Sequence, residues 1–428
     1  MQVIDLRSER FEEWKHLLNR RYLPAAELIQ QVTAILTDVR RNGDRALLEL
    51  SKRFDQVDLE RSELRVNAAE MAQALGRLDP LVRNALETSK QNVQEFARRS
   101  RRTGWMSENA QGARVGERFD PFQRIGIYVP AGTAPLVSSA IMTVSLASAI
   151  GLPEIVVTSP VGSQKIMNPD LLCALQIAGA TEIYKIGGTQ AIGALAFGTE
   201  SIRPVTKVFG PGNAYVVEAK RQVFGYVAVD LLPGPSEILV LADHTANPAW
   251  VAADLLAQAE HGPGSVVGLV TTEEKLAEAV RLEIQGQLKD LTRKSFLEPV
   301  LEQNAFVVIV RDRRQAIEVA NSFSPEHLAI VMESANEVGD EITTAGAIFL
   351  GEYSPVAAGD FLAGPSHELP TGGAGKAFGG LTVDQFQRRT SIVHYDRAAL
   401  EKSLSVLLQF SKVEQLDAHE RSVRIRFE

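Results

Sequence analysis

Between Arg124 and Leu350, short apolar runs alternate with stretches of helical spacing, and that alternation restricts the chain more than any other feature. A strand that is followed by a helix and then by another strand has to cross over its sheet. The result is a series of βαβ units and a mostly parallel sheet. The first series reads as a strand over 125–129 ending at Pro130, then a small-residue helix over 135–150. A strand over 155–157 follows, and a helix over 170–177 opened by Asn168-Pro169. The strand over 183–186 runs into Gly187-Gly188 and a helix over 190–197. The strand over 207–209 enters Gly210-Pro211-Gly212-Asn213 and a further helix.

A second series begins near Ser236 with a strand over 237–242. Asn247-Pro248 starts its helix, over 249–260, with a cap and a first-turn proline. Next is a strand over 266–270. Thr271 and Glu274 have capping-box spacing for the following helix. Later strands are expected over 306–310, 328–332 and 347–350. Two such series invite an internal repeat, although no shared motif proves one. Residues 1 to about 104 read as helical, with apolar spacing over 25–54 and 80–100. A helix over 397–410 and a charged amphipathic segment over 416–423 close the chain. The apolar face of that segment suits either another subunit or its own chain.

At 428 residues the chain exceeds one ordinary core. Its 45% hydrophobic and 23% charged residues belong to a globular protein. A net charge of −8 argues against nucleic acid, which requires a cationic surface, and favours a small-molecule substrate. No apolar run approaches a membrane span of about 20 residues. The N-terminus has no signal-peptide core, so a cytoplasmic location is expected. The single cysteine, Cys173, lies in an apolar helical run and reads as a core thiol, which excludes cysteine zinc sites.

Of the seven histidines, His16, His244 and His394 lie in solvated contexts. The other four sit at turns or helix ends. Gln258 and His261 are three apart and share a helix face, so an amide oxygen and an imidazole are able to bind one metal. Two ligands do not make a zinc site, and His261 also suits the last helix carbonyls. Ser324-Pro325-Glu326-His327 sets a carboxylate beside an imidazole, as a general base or as an ordinary polar turn. Asp360 and His367 fall in a glycine-rich stretch over 359–380, where a loop of that length is usually functional. Asp360 offers a carboxylate ligand or an aspartate satisfying a turn. Gly372-Gly373-Ala374-Gly375-Lys376-Ala377 lacks the spacing and the Ser/Thr of a phosphate loop. Gly262-x-Gly264 has helix and strand in the reverse of the dinucleotide-fingerprint order.

In order along the chain stand Gly126-Ile127-Tyr128-Val129-Pro130-x-Gly132-Thr133-Ala134-Pro135, Gly187-Gly188-Thr189-Gln190-Ala191-Ile192 and Gly210-Pro211-Gly212-Asn213. Then come Gly234-Pro235-Ser236-Glu237, Gln258-Ala259-Glu260-His261 and Pro325-Glu326-His327-Leu328. The last are Gly359-Asp360, Gly364-Pro365-x-His367-x-Leu369-Pro370-Thr371 and Ala418-His419. With these segments the chain resembles the histidinol dehydrogenase family. The resemblance implies oxidation of an amino alcohol, L-histidinol, through the aldehyde to L-histidine with two NAD and one zinc per subunit. It implies zinc ligands at Gln258, His261, Asp360 and His419, the last from the partner chain of an intertwined homodimer. His327 would be the general base, and Glu326 would activate the water that hydrates the aldehyde. Ser236, His367 and Glu414 would line the substrate site together with those ligands and His327. Tyr128, Gln190 and Asn213 would contact NAD.

The implied fold is α/β, with two incomplete Rossmann-like parallel-sheet units and helical N- and C-terminal extensions. The implied division is an N-terminal helical arm over 1–25, a first α/β domain over 26–128 and 237–380, a cofactor-binding second domain over 129–236, and a helical dimerisation tail over 381–428. The chain departs from the family pattern at Ala131, Gly262, Ser366 and Lys376, where glycine, aspartate, asparagine and arginine are usual. Relatives that oxidise other polar alcohols, such as a sulfonated propanediol, share the core motifs. Glu414 favours a cationic amino substrate, because a carboxylate repels a sulfonate. A zinc hydrolase built on Glu326-His327 and a non-catalytic binding protein are the readings from other classes.

Overall fold

The computed structural model describes residues 1–7, 20, 23–131 and 135–428. His16 and the Gly132-Thr133-Ala134 part of the first motif lie outside the described residues. The chain divides into two compact units, one of residues 1–99 and 123–383, the other of residues 100–122 and 384–428.

The strands of the described residues are, in chain order, β1 (Gln2–Asp5), β2 (Trp105–Glu108), β3 (Arg114–Pro121), β4 (Arg124–Tyr128) and β5 (Glu154–Thr158). They continue with β6 (Glu182–Tyr184), β7 (Lys207–Phe209), β8 (Ala228–Val229), β9 (Glu237–Ala242) and β10 (Val266–Thr271). The last are β11 (Ala305–Ile309), β12 (His327–Val331), β13 (Ala347–Leu350) and β14 (Gln387–His394).

The first unit holds two parallel sheets, in the orders β6-β5-β4-β7-β8 and β1-β11-β10-β9-β12-β13. Setting β1 aside, both follow one topology. The first strand of each series is central, the second and third lie to one side, and the fourth and fifth lie to the other. The repeat that no shared motif reveals is therefore present as strand order. Each sheet has its topological switch between its first and fourth strands, β4 and β7 in one, β9 and β12 in the other.

The central strands are buried on both faces, as their unbroken apolar runs require. Ile238 and Val240 of β9 pack with the helices Pro248–Ala259 and Glu274–Gln287 on one face. Leu239 and Leu241 pack on the other with Ala316, Ala320 and Phe323 of the helix Arg313–Phe323. Side-chain caps set helix starts: Asn168 accepts from the N–H groups of Asp170 and Leu171, and Asn247 accepts from that of Ala249.

Several expectations need correction. Residues 2–5 of the expected helical arm form a strand, because Val3 and Ile4 complete the sheet edge by pairing with β11. β4 pairs with β5 and β7, so the segment ending at Tyr128 belongs with the five-stranded sheet, not with the domain of residues 237–380. The helix Ala26–Asn42 packs there too, burying Val32, Leu36 and Val39 beside the helix Gly188–Phe197. The capping box does not form: Thr271 ends β10, and its hydroxyl accepts from the N–H of Glu273, leaving the helix without a side-chain cap. The 359–380 stretch is not all loop, since Gly359 and Asp360 lie in the short helix Val356–Phe361.

The second unit is an antiparallel sheet, β14-β3-β2, with the helices Arg397–Val413 and Asp417–Arg424. The tail expected to be helical thus contains β14, whose eight residues pair with β3 along their whole length. No described helix is long and apolar enough to cross a membrane.

Candidate active site

His327 opens β12 beside Ile238 of β9, at the N-terminal edge of the six-stranded sheet and at its switch point. Open α/β sheets ordinarily bind ligands at the opposite edge. Here the helix Pro248–Ala259 leads from β9 back to the start of β10, so its C-terminal end returns Gln258 and His261 to the edge where His327 begins.

Glu326 and His327 are both buried. The Glu326 carboxylate accepts the backbone N–H of Glu237 at Oε2, 2.7 Å away. His327 Nδ1 lies 3.0 Å from the Glu237 carbonyl oxygen, which only accepts, so Nδ1 carries a proton. Nε2 has no hydrogen-bond partner and stands 3.6 Å from Asp360 Oδ1. Burial pushes the His327 imidazole down, but the Glu326 charge and the contact with Asp360 outweigh it and bring the ring up to about 10. Burial raises the Asp360 carboxyl, whereas the close contact with His327 and the charges of His327, His367 and His261 hold it below the usual range.

Gln258 is buried, and neither its amide oxygen nor its amide nitrogen has a partner. An orphaned buried amide is costly unless something fills its valences. Its helix packs against Val356–Phe361, which carries Asp360. His261, one turn further, is exposed, with Nδ1 3.2 Å from the Ala257 carbonyl oxygen and Nε2 left over. These are nitrogen and oxygen donors on adjoining helices, and they fit a divalent cation of intermediate hardness. Among the described residues, no three His, Cys, Asp or Glu side chains form a ready-made metal cage. His367 is fixed at both nitrogens, 3.0 Å from the Asp360 carbonyl oxygen and 3.2 Å from Ser139 Oγ. Burial pushes its ring down, against the raising effect of Asp360. Ser236 directly precedes Glu237 and is half-buried.

The other expected group lies at the C-terminal edge of the five-stranded sheet. Tyr128 ends β4, Asn213 follows β7, and the two flank that switch point. Tyr128 is buried. Its hydroxyl accepts the N–H of Gly188 at 3.4 Å, and burial pushes it up to about 12. Gln190 is also buried and donates to Asp55 Oδ2 at 3.4 Å. Asn213 is exposed and caps the helix Ala214–Val223 with its side-chain oxygen, leaving the amide N–H groups free. A Cβ on Gly210 would stand 2.0 Å from the Tyr128 carbonyl oxygen, so only glycine lets these two loops approach so closely. This edge fits a dinucleotide held by loop and helix start without the glycine fingerprint.

Residues 18–427 match the family profile described as histidinol dehydrogenase. The histidinol dehydrogenase of Heliobacterium mobile is 41% identical over 411 residues, covering 96% of each chain. That of Geobacillus kaustophilus is 41% identical over 397 residues, covering 93% of each. The crystal structure of histidinol dehydrogenase from Elizabethkingia anophelis superposes with a TM-score of 0.95 at 34% identity, covering 100% of this chain and 98% of that one. The chain belongs to the histidinol dehydrogenase family. That membership places it among the oxidoreductases of histidine biosynthesis and agrees with the α/β fold read from the sequence.

In this family member, the first unit brings Glu326, His327, Asp360 and His367 together, with Gln258 and His261 on the adjoining helix. Tyr128, Gln190 and Asn213 lie at the other sheet. Glu414 and His419 belong to the second unit, where both are exposed, at the end of Arg397–Val413 and within Asp417–Arg424. Glu237, Arg20, Ser139 and Asp55 also belong to the two groups of the first unit without having been expected there. Glu237 stands in the segment Gly234-Pro235-Ser236-Glu237 and so carries a signal. Ser139 is one serine in a small-residue helix, and Arg20 and Asp55 lie in the region that read as helical and without chemistry.

Proposed function

We propose that this chain oxidises L-histidinol to L-histidine through the aldehyde, in the cytoplasm, as an intertwined homodimer with one zinc per subunit and NAD as oxidant. The observation that carries this reading is a pair of buried, bare hydrogen-bonding groups, His327 Nε2 and the Gln258 amide, in a family that oxidises alcohols. Gln258, His261, Asp360 and the partner's copy of His419 would hold zinc. Bound there, zinc would mainly orient the substrate's nitrogen donors, and NAD held by Tyr128, Gln190 and Asn213 would supply the hydride acceptor for each oxidation.

The chain's own groups handle the protons. With Nδ1–H engaged by the Glu237 carbonyl, neutral His327 has its lone pair on Nε2 and takes the alcohol proton there. In the free site Asp360 favours the protonated ring. A cation held by Asp360 would withdraw that contribution and leave the larger one, from the Glu326 charge. Glu326 has Oε2 tied to Glu237 N–H and Oε1 left to take a proton from the water that adds to the aldehyde. As the water adds, His327 returns the alcohol proton from Nε2 to the aldehyde oxygen, and the neutral ring then takes the proton of the hydrate. Ser236 and His367 position the substrate, and Glu414 complements its ammonium group. Exposed Val406, Phe410 and Val413 on Arg397–Val413 support a subunit contact by that helix.

The test follows NADH absorbance with L-histidinol, NAD and zinc, and then identifies the product. Two NADH per histidinol and L-histidine as product are expected. Turnover of a sulfonated propanediol, with none of histidinol, overturns the substrate assignment.

A further inference from the structure

Glu237 has no part in the chemistry proposed above, yet both candidate catalytic residues hang from its peptide groups. Its N–H donates to Glu326 Oε2 at 2.7 Å, and its carbonyl accepts Nδ1–H of His327 at 3.0 Å. The ladder between β9 and β12 pairs His327 with Ile238, so Glu237 stands one residue outside that pairing. On its other side the ladder with β10 pairs it with Val266, and its side chain adds a second anchor. The buried carboxylate takes Arg20 in a two-pronged grip, Nε to Oε1 and Nη2 to Oε2, each at 2.9 Å. It also accepts the N–H of Gly372 at 3.1 Å. Arg20 is itself fixed: Nη2 donates to the Phe323 carbonyl at 3.1 Å, and the guanidinium lies 3.3 Å from the centre of the Phe323 ring.

We propose that the Arg20–Glu237 pair is a positioning device for the reaction, fixing the one residue whose main chain orients both Glu326 and His327. A guanidinium fork sets the orientation of a carboxylate in a way that a point charge does not. If the fork is removed, a buried carboxylate is left without its partner, and the main chain at Glu237 keeps its β10 pairing but loses the anchor that sets it on the β12 side. The imidazole and the Glu326 carboxylate then lose their alignment together. The inference rests on the histidinol-oxidising reading, and its test includes the wild-type enzyme so that the two can fail separately.

The experiment compares the zinc-loaded wild type with Arg20→Ala, using histidinol and the aldehyde as separate substrates. In the variant, kcat is expected to fall ~100-fold in both half-reactions, the scale of a small misplacement of catalytic groups. KM for histidinol and zinc content should stay close to wild type. Guanidinium at non-denaturing concentration should restore part of kcat by filling the vacated fork, whereas sodium chloride at the same ionic strength should not. A wild-type kcat in Arg20→Ala overturns the proposal. So does a loss that tracks only the folded fraction and does not respond to guanidinium. Should the alanine variant fail to fold, Arg20→Lys keeps the charge and loses the fork. A lowered kcat there supports the proposal, and a wild-type kcat overturns it. A wild type inactive on histidinol sinks the underlying reading instead.

Discussion

His327 presents Nε2 to Asp360 Oδ1 across 3.6 Å while the Glu237 carbonyl holds its other nitrogen. The ring therefore points its only free nitrogen at the expected substrate and metal position without belonging to the expected ligand set. His327→Ala should lower oxidation of both alcohol and aldehyde by ~10²–10⁴-fold, the usual worth of a general base, and leave zinc content unchanged. NADH formation from each substrate, with metal analysis of the same samples, checks this. Zinc lost along with activity would make His327 a ligand instead.

Glu326 differs from His327 in having a single task, at the aldehyde stage. Glu326→Gln keeps an oxygen for the Glu237 N–H and should leave the fold intact. The aldehyde step should slow more than the alcohol step, so NADH per histidinol falls from two towards one in early turnover and free aldehyde becomes trappable. Equal slowing of both steps would remove the water-activating role.

Gln258 is the sharpest sign of a missing partner in the first unit, with both amide atoms buried and unpaired. Gln258→Leu has similar volume and no polar group to satisfy, so the metal-free variant should melt at the same temperature as wild type or higher. Zinc retained after dialysis should nevertheless fall well below one per chain, and activity with it. Undiminished zinc binding in a folded variant would exclude Gln258 from the ligand set.

The strands and helices were legible because each βαβ unit writes its period into the sequence: β9 as five consecutive apolar residues after Glu237, its helix through the Asn247-Pro248 start. The site was legible in part. Gln258 and His261 share a helix face that spacing reveals, and Glu326 and His327 are neighbours in the chain. Asp360 comes near His327 only through a crossover that spacing alone cannot show. Arg20 and Glu237 are 217 residues apart, and nothing in the Arg20-Arg21 pair singles out Arg20. The strand β14 escaped notice because Arg388 and Arg389 interrupt the apolar alternation that marks a strand, on a sheet whose faces stay largely exposed.

Glu368 gives the first unit a pH-dependent stability. Burial, and then the Asp230 charge, push its carboxyl up to about 8 from the ordinary 4.5. Thr143 Oγ1 is bonded to it at 2.6 Å. Between those two pH values the folded state holds a proton that the unfolded chain has released. The stabilisation is complete below about 4.5 and is lost as pH rises towards about 8. Glu368→Gln should flatten the melting temperature over that window and raise it most at the alkaline end. A slope that persists in the variant would assign it to another group.

Gly210 is where the cofactor reading meets backbone geometry. Its φ of +109° lies in the left-handed region, and its N–H and carbonyl are pinned by Asp230 Oδ2 at 2.7 Å and Lys220 Nζ at 2.8 Å. Asp230 and Lys220 also form a fully buried ion pair with each other, so the loop cannot yield easily. Gly210→Ala adds a methyl group 2.0 Å from the Tyr128 carbonyl oxygen. The backbone strain alone costs about 1–3 kcal/mol, and relief requires the loop carrying Asn213 to move away from Tyr128. The variant should melt several degrees lower and bind NAD more weakly by fluorescence titration, while zinc content, set at the other sheet, stays the same. Wild-type affinity for NAD in a protein that melts lower would mean that the dinucleotide does not lie across the β4–β7 switch.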